Sequence, residues 1–262
     1  MRILFIADVF GSPGRKAVAT LLPRLRLERC ADVVVLNGEN AAAGFGITPE
    51  IFRDFLSAGA DVVTGGNHIW EQKNILEFLP DAPRLLRALN CPPEAPGFSS
   101  AIWRTDSGCS FGITYVLGRT FMAPLDDPFR ALELELDKPA WKDVRVRFIE
   151  VHAEATSEKL ALAHFLDGRV SAVIGTHTHV QTADARILPL GTAYMTDAGM
   201  TGPHDSIIGV EKELAIRRFR TQLPVRFQPA KNDVWLNGVM IEVDERTGAA
   251  LSIQPIQEPF QE

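Results

Sequence analysis

Three cysteines in 262 residues, Cys30, Cys91 and Cys109, are too few, odd in number and too far apart for a disulfide framework or a C-x-x-C zinc or redox site. Their scarcity points to a reducing compartment, and a cytoplasmic location is expected. Long apolar runs are also missing. No stretch approaches the ~18 residues that a membrane helix requires, and the segment before Asp8 is too short and too soon acidic for a signal peptide. No membrane partner is expected. Basic excess is absent as well: 27 Lys and Arg stand against 33 Asp and Glu, a formal charge of -6, the wrong sign for gripping extended nucleic acid by its phosphates. A small anionic substrate then needs a local source of positive charge. Gly11-Ser12-Pro13-Gly14 lacks the Lys-Ser/Thr of a phosphate-cradling loop and reads as a helix start, with Ser12 as cap and Pro13 in the first turn.

What the chain does contain is the balance of a globular protein, 46% hydrophobic and 23% charged, with a length that α/β folds fill as one domain over residues 1–262. Ile3–Ala7, Asp32–Leu36 and Asp61–Thr64 are short, nearly continuous apolar runs, as expected of strands buried on both faces. Between them lie helical stretches, from Ser12 to Arg29, where Pro23 predicts a kink or a split, and from Thr48 to Gly59. The result is a βαβαβ series, which favours parallel strands covered by helices. A helix over 71–79, a hairpin over 99–117 and a helix over 128–136 are predicted next. The strand-then-polar-tip rhythm returns at Val144–His152 and Val170–His179, separated by a helix over 157–167. A hairpin around Gly191, a helix over 210–221 and a strand pair over 235–255 complete the chain.

Unusual polar residues fall at the C-terminal tips of these buried strands: Asp8, Glu39, Asn67, His152, His177 and His179. Open α/β sheets build their sites there. Each residue alone is ordinary as a cap or turn former, but together they form an oxygen and imidazole set without thiolate, suited to divalent Mn, Fe or Zn. In an extended segment His177 and His179 would project to one side, about 6.6 Å apart at Cα.

Read in order, the blocks Asp8-Val9-Phe10, Gly38-Glu39-Asn40, Gly66-Asn67-His68, His152 and Gly175-Thr176-His177-Thr178-His179 resemble the calcineurin-like metallophosphoesterases. Phe10 stands where that family has a ligand histidine and Glu39 where it has a bridging aspartate. Asn37-Gly38-Glu39-Asn40 and the stretch Met200-Thr201-Gly202-Pro203 are similar to the YmdB-like bacterial phosphodiesterases in particular. The resemblance implies a four-layer α/β/β/α sandwich of two mixed sheets and a centre of two divalent or mixed-valence transition metals. It places Asp8, Glu39, Asn40 and His179 on one metal, and Glu39, Asn67, His152 and His177 on the other, with Asn40 in place of the missing histidine. Metal-bound hydroxide would attack a phosphodiester such as a 2',3'-cyclic nucleotide, His68 would protonate the leaving group, and Thr201 and His204 would touch substrate. A phosphomonoesterase, or a regulatory or RNA-associated protein with a largely structural metal centre, stays open at this point. So do the native metal and the formation of a homo-oligomer.

Overall fold

The structure, a computed structural model, describes residues 1–261. Strand β1 (Arg2–Ile6) is buried from Ile3 onward and leads through Asp8 into α1 (Gly11–Glu28). Phe10 rather than Ser12 occupies the cap position of that helix, and no side chain caps it. The kink or split predicted at Pro23 does not occur; the helix runs through 18 residues. Pro23 and Ala19, whose carbonyl loses its partner, are both exposed, so water can take over the missing hydrogen bond.

β2 (Val33–Asn37), α2 (Pro49–Ser57) and β3 (Val62–Thr64) complete the expected βαβαβ series. Thr48 caps α2 by accepting from the Ile51 amide at 3.3 Å, with Pro49 in the first helical position. The helix predicted over 71–79 shrinks to α3 (Ile75–Phe78). Residues before it are spent on turns, one of them anchored by the Gln72 side chain donating to the Phe45 carbonyl at 2.7 Å. Then follow β4 (Leu85–Leu86), β5 (Ser100–Arg104), β6 (Ser110–Leu117), α4 (Pro128–Leu136), β7 (Val146–His152), α5 (Thr156–Leu166), β8 (Ala172–Thr176), β9 (Arg186–Ile187), β10 (Ala193–Met195), β11 (Gly202–Pro203), α6 (Lys212–Thr221), β12 (Val234–Val243) and β13 (Ala250–Phe260).

Among the described residues the strands form two mixed sheets. One runs β11-β12-β1-β2-β3-β4, with β13 also on β12; the other runs β5-β6-β7-β8-β10-β9. Neighbours from β1 to β4 are parallel, as are β6, β7, β8 and β10. The period-2 alternation of each strand sorts its side chains between layers. Leu4, Ile6, Val34 and Leu36 pack on Val18, Leu22 and Leu25 of α1. Ile3, Phe5, Val33 and Val35 face the other sheet at Ile113, Phe148 and Ile174, with the Phe5 and Phe148 rings 5.5 Å apart. Val116, Ile149 and Val173 meet Leu132 of α4 and Leu162 of α5. Two helical layers therefore enclose two sheets, the sandwich that the resemblance implies. No helix among the described residues is long and apolar enough to cross a membrane.

Candidate metal centre

The tips of β1, β2 and β3 from one sheet and of β7 and β8 from the other converge on one cluster. Two groups have ligand atoms that all lie within 4.8 Å of one another: Glu39, His152 and His177, and Asp8, Glu39 and His179. Glu39 belongs to both because its carboxylate is split between them. Oε2 lies 2.9 Å from His152 Nε2 and accepts from the Asn67 amide at 3.2 Å, whereas Oε1 accepts from the Asn40 side chain at 2.6 Å and lies 3.7 Å from His179 Nε2. Asn67 Oδ1 and His177 Nδ1 stand 2.7 and 3.1 Å from His152 Nε2. On the other side, Asn40 Nδ2 is 3.0 Å and Asp8 Oδ2 3.6 Å from His179 Nε2.

Backbone geometry explains how this cluster fits. Gly66 has φ of 53°, and a Cβ there would come within 1.9 Å of Glu39 Oε2, so glycine provides the room for the longer carboxylate. His177 and His179 have φ of 98° and 64°. They do not lie in the extended segment that the sequence predicts; a turn brings both rings to the centre. Such strain persists only where surrounding contacts impose it. Here Asp8 Oδ2 accepts from the His177 amide at 2.9 Å, and Asp197 Oδ2 accepts from the Thr178 amide and hydroxyl at 3.0 and 2.7 Å. Lys159 Nζ, fully buried, donates to the same Asp197 oxygen at 2.8 Å.

Further hydrogen bonds orient the rings. His179 Nδ1 donates to the Ile208 carbonyl at 3.0 Å, which turns Nε2 inward. His152 Nδ1 is 2.8 Å from Thr176 Oγ1, and that hydroxyl donates to Glu150 Oε1 at 2.8 Å, where Asn37 Nδ2 also donates at 2.6 Å. Sequence reading missed Glu150, although a carboxylate between Ile149 and Val151 in a buried strand was a usable signal. It also missed Asp197 and Lys159, which are 38 residues apart and carry no local signature.

A divalent cation fits this donor set, since Asp8 Oδ1 is buried without a hydrogen-bond partner and several lone pairs face one another across short distances. The electrostatics agree. Burial, then the neighbouring Glu39, pushes Asp8 up to about 7. Burial alone would lower His179, yet its contacts with Glu39 and Asp8 push it up to about 9. Burial and His152 lower His177 to about 3, so it is neutral, while burial would raise Glu39 but the flanking His152 and His179 hold it below the usual carboxylate range. Ligation requires Asp8 ionised and His179 neutral, so binding must displace protons held below about 9 on His179 and below about 7 on Asp8. Cation affinity on that side should therefore rise about tenfold per pH unit between 7 and 9, and more steeply below 7. Mn titrations of the apoprotein at three pH values check this; an affinity flat across the range would contradict it.

The remaining predicted site residues lie outside the cluster. His68 sits in the turn after β3 with its side chain 25% exposed, Glu71 Oε1 3.6 Å from Nδ1 and the Phe45 ring edge-on at 5.1 Å. Thr201 is fully buried, and its hydroxyl donates to the Asn237 carbonyl at 3.1 Å and accepts from the Asn237 amide at 3.2 Å. Its backbone amide donates to the Asp8 carbonyl, so it fixes the loop that carries Asp8. His204 is turned toward the Met200 carbonyl, Asn237 and the Trp235 ring, and no contact of it reaches the cluster.

The family model for YmdB-like proteins matches residues 4–256. The chain belongs to the YmdB-like family. It is 50% identical over 256 residues to the 2',3'-cyclic-nucleotide 2'-phosphodiesterase of Bacillus subtilis, covering 98% of this chain and 96% of that one. A solved structure of a hypothetical protein from Thermus thermophilus superposes with a TM-score of 0.93 at 44% identity and 99% coverage of both chains. A phosphatase from Mycoplasma pneumoniae superposes equally well, TM-score 0.93, at 34% identity and over 99% of this chain and 93% of that one. In this YmdB-like chain Phe10 is an apolar plug. Its ring meets His179 edge-on at 5.7 Å, and a Cβ on Gly209 would come within 2.6 Å of it.

Proposed function

We propose that this YmdB-like chain is a metal-dependent phosphodiesterase acting on 2',3'-cyclic nucleotides or similar small phosphodiesters. The observation that carries the reading is the split carboxylate of Glu39, with one oxygen toward His179 and Asn40 and the other toward His152 and Asn67. Asp8, Glu39, Asn40 and His179 would hold one cation, and Glu39, Asn67, His152 and His177 the other. Fe or Mn suits this nitrogen and oxygen set, and Zn is compatible with it. When bound, two such cations offset phosphoryl charge and lower the pKa of water to ~7.

The chain's own residues supply position and protons. Hydrolysis consumes one water, whose oxygen ends on phosphorus; the bond from phosphorus to the ribose 2'-oxygen breaks, and that oxygen must gain a proton. His68, at the rim of the cluster beside Asn67, supplies it. Lys159 and Asp197 hold the turn of His177 and His179, so the cations are received by an ordered site. The setting is the cytoplasm, where the three thiols would stay reduced.

Elemental analysis of reconstituted protein combined with an ester screen tests the reading. About two equivalents of metal per chain are expected. Bis-p-nitrophenyl phosphate and 2',3'-cyclic nucleotides should be cleaved with at least about tenfold higher kcat/KM than p-nitrophenyl phosphate, one decade being about 1.4 kcal/mol of transition-state discrimination. The reverse order assigns a phosphomonoesterase, and fully loaded protein without turnover assigns a structural metal centre.

A further inference from the structure

Beside the candidate centre lies a groove of about 1570 Å³ that contains none of the cluster residues. It is larger than the ~300–1,000 Å³ of a small-molecule pocket. Among the described residues, four cations line it, Arg15, Lys16, Arg226 and Lys231, against one carboxylate, Asp233. That is a local excess of positive charge in a chain whose net charge is -6. The Arg15 guanidinium donates to the Ala41 carbonyl, which ties it to the loop following Asn40. Arg226 and Lys231 are exposed and have no acidic partner within ion-pair distance among the described residues. Asp233 is occupied, accepting from the Trp235 indole at 2.7 Å.

Aromatic rings share the lining with these cations. Phe45, Phe227 and Trp235 all line the groove and are at least partly exposed. Phe45 also links the groove to His68, the chain neighbour of Asn67, because its ring stands 5.1 Å from that of His68. Cations that track phosphates, interleaved with aromatic rings on which bases stack, are the chemistry of a single-stranded nucleic-acid channel. A second copy of this chain is a poorer occupant, since covering the groove would desolvate exposed cations that have no acidic partner.

We propose that the groove holds the ribonucleotides preceding a terminal 2',3'-cyclic phosphate, so that the preferred substrate is a short single-stranded RNA end rather than a free cyclic mononucleotide. This inference rests on the phosphodiesterase reading above. The cyclic phosphate sits at the centre, the first nucleotides pass Phe45, and their phosphates face Arg15, Arg226 and Lys231. A negative overall charge is no obstacle, because only a few phosphates need local cations.

Steady-state kinetics of the metal-loaded protein should compare adenosine 2',3'-cyclic phosphate with tetra-adenylate ending in the same cyclic phosphate. The tetranucleotide should have kcat/KM higher by about tenfold or more, and the advantage should shrink as salt rises from about 0.05 to 0.2 M. In an R226A/K231A double variant the ratio of the two kcat/KM values should fall about tenfold. Fluorescence anisotropy with 5'-fluorescein tetra-adenylate 3'-phosphate gives a second readout that needs no turnover; binding should weaken in the same variant. Equal kcat/KM for both substrates and no tetranucleotide binding would overturn the groove while leaving the phosphodiesterase reading intact. No turnover of either ester, with salt-sensitive binding retained, would remove the phosphodiesterase reading and support the groove alone. A double variant that changes the mass in size-exclusion chromatography but not the substrate ratio assigns the groove to a second copy and overturns the proposal.

Discussion

His68→Ala is expected to retain its metals and to lose about 10²- to 10⁴-fold in turnover of a 2',3'-cyclic nucleotide, the usual worth of a positioned acid. The ring lies outside both ligand groups, so its removal takes no donor from either. It is also partly exposed beside the cluster, where a leaving oxygen could meet it. The loss should depend on the leaving group. A ribose alkoxide needs a proton as the bond to phosphorus breaks, whereas p-nitrophenolate departs without one. Bis-p-nitrophenyl phosphate should therefore be cleaved by the variant at close to the parent rate. Metal content and the two rates, measured on the same preparation, decide the matter. Metal loss in the variant, or equal slowing of both substrates, removes His68 from the acid role.

Glu39→Gln should depopulate both metal positions, because a single carboxylate faces both groups of donors. The amide keeps one oxygen but loses the charge and presents an N–H to one side. The drop in metal affinity should exceed the roughly 10- to 100-fold cost of losing a supporting hydrogen bond around a metal site. Variants with one-sided donors should behave differently. Asn67→Ala and His177→Ala should empty mainly one position, Asp8→Asn and His179→Ala mainly the other. Gly66→Ala should mimic the Glu39 variant without replacing any ligand residue, since its Cβ would sit 1.9 Å from Glu39 Oε2 and push that carboxylate aside. Elemental analysis across the set, with circular dichroism to confirm folding, reads the pattern. Equal metal loss from both positions in all four one-sided variants would reject the partition.

The candidate residues were legible in the sequence because of a local rule. A strand buried on both faces must be apolar along its length, so polar residues collect where the strand ends, and Asp8, Glu39, Asn67, His152 and His177 stand at such ends. The same rule separated the longer strands of both sheets, though not β4 or β11. Local rules misjudged Pro23, because whether a lost hydrogen bond matters depends on which face of the helix meets solvent. Nor do they show that the Thr201 hydroxyl donates to the Asn237 carbonyl, 36 residues away.

By itself, the sequence determined the long buried strands, the polar residues at their tips, and that the donors are oxygen and nitrogen without thiolate; the two-residue strands β4 and β11, too short for a periodic signal, came only from the structure. Tertiary structure alone decided which tips meet. The Asp8 carboxylate accepts from the His177 amide across 169 residues, and Glu39 reaches His152 only because two sheets stack with their strand ends together. The left-handed turn at His177 and His179 is likewise imposed from a distance, by Asp8 and by the buried Lys159–Asp197 pair. Hydrophobic periodicity acts over a few residues and can specify burial. The meeting of side chains distant in sequence is fixed by the packing of one layer on another, and no local pattern encodes that register.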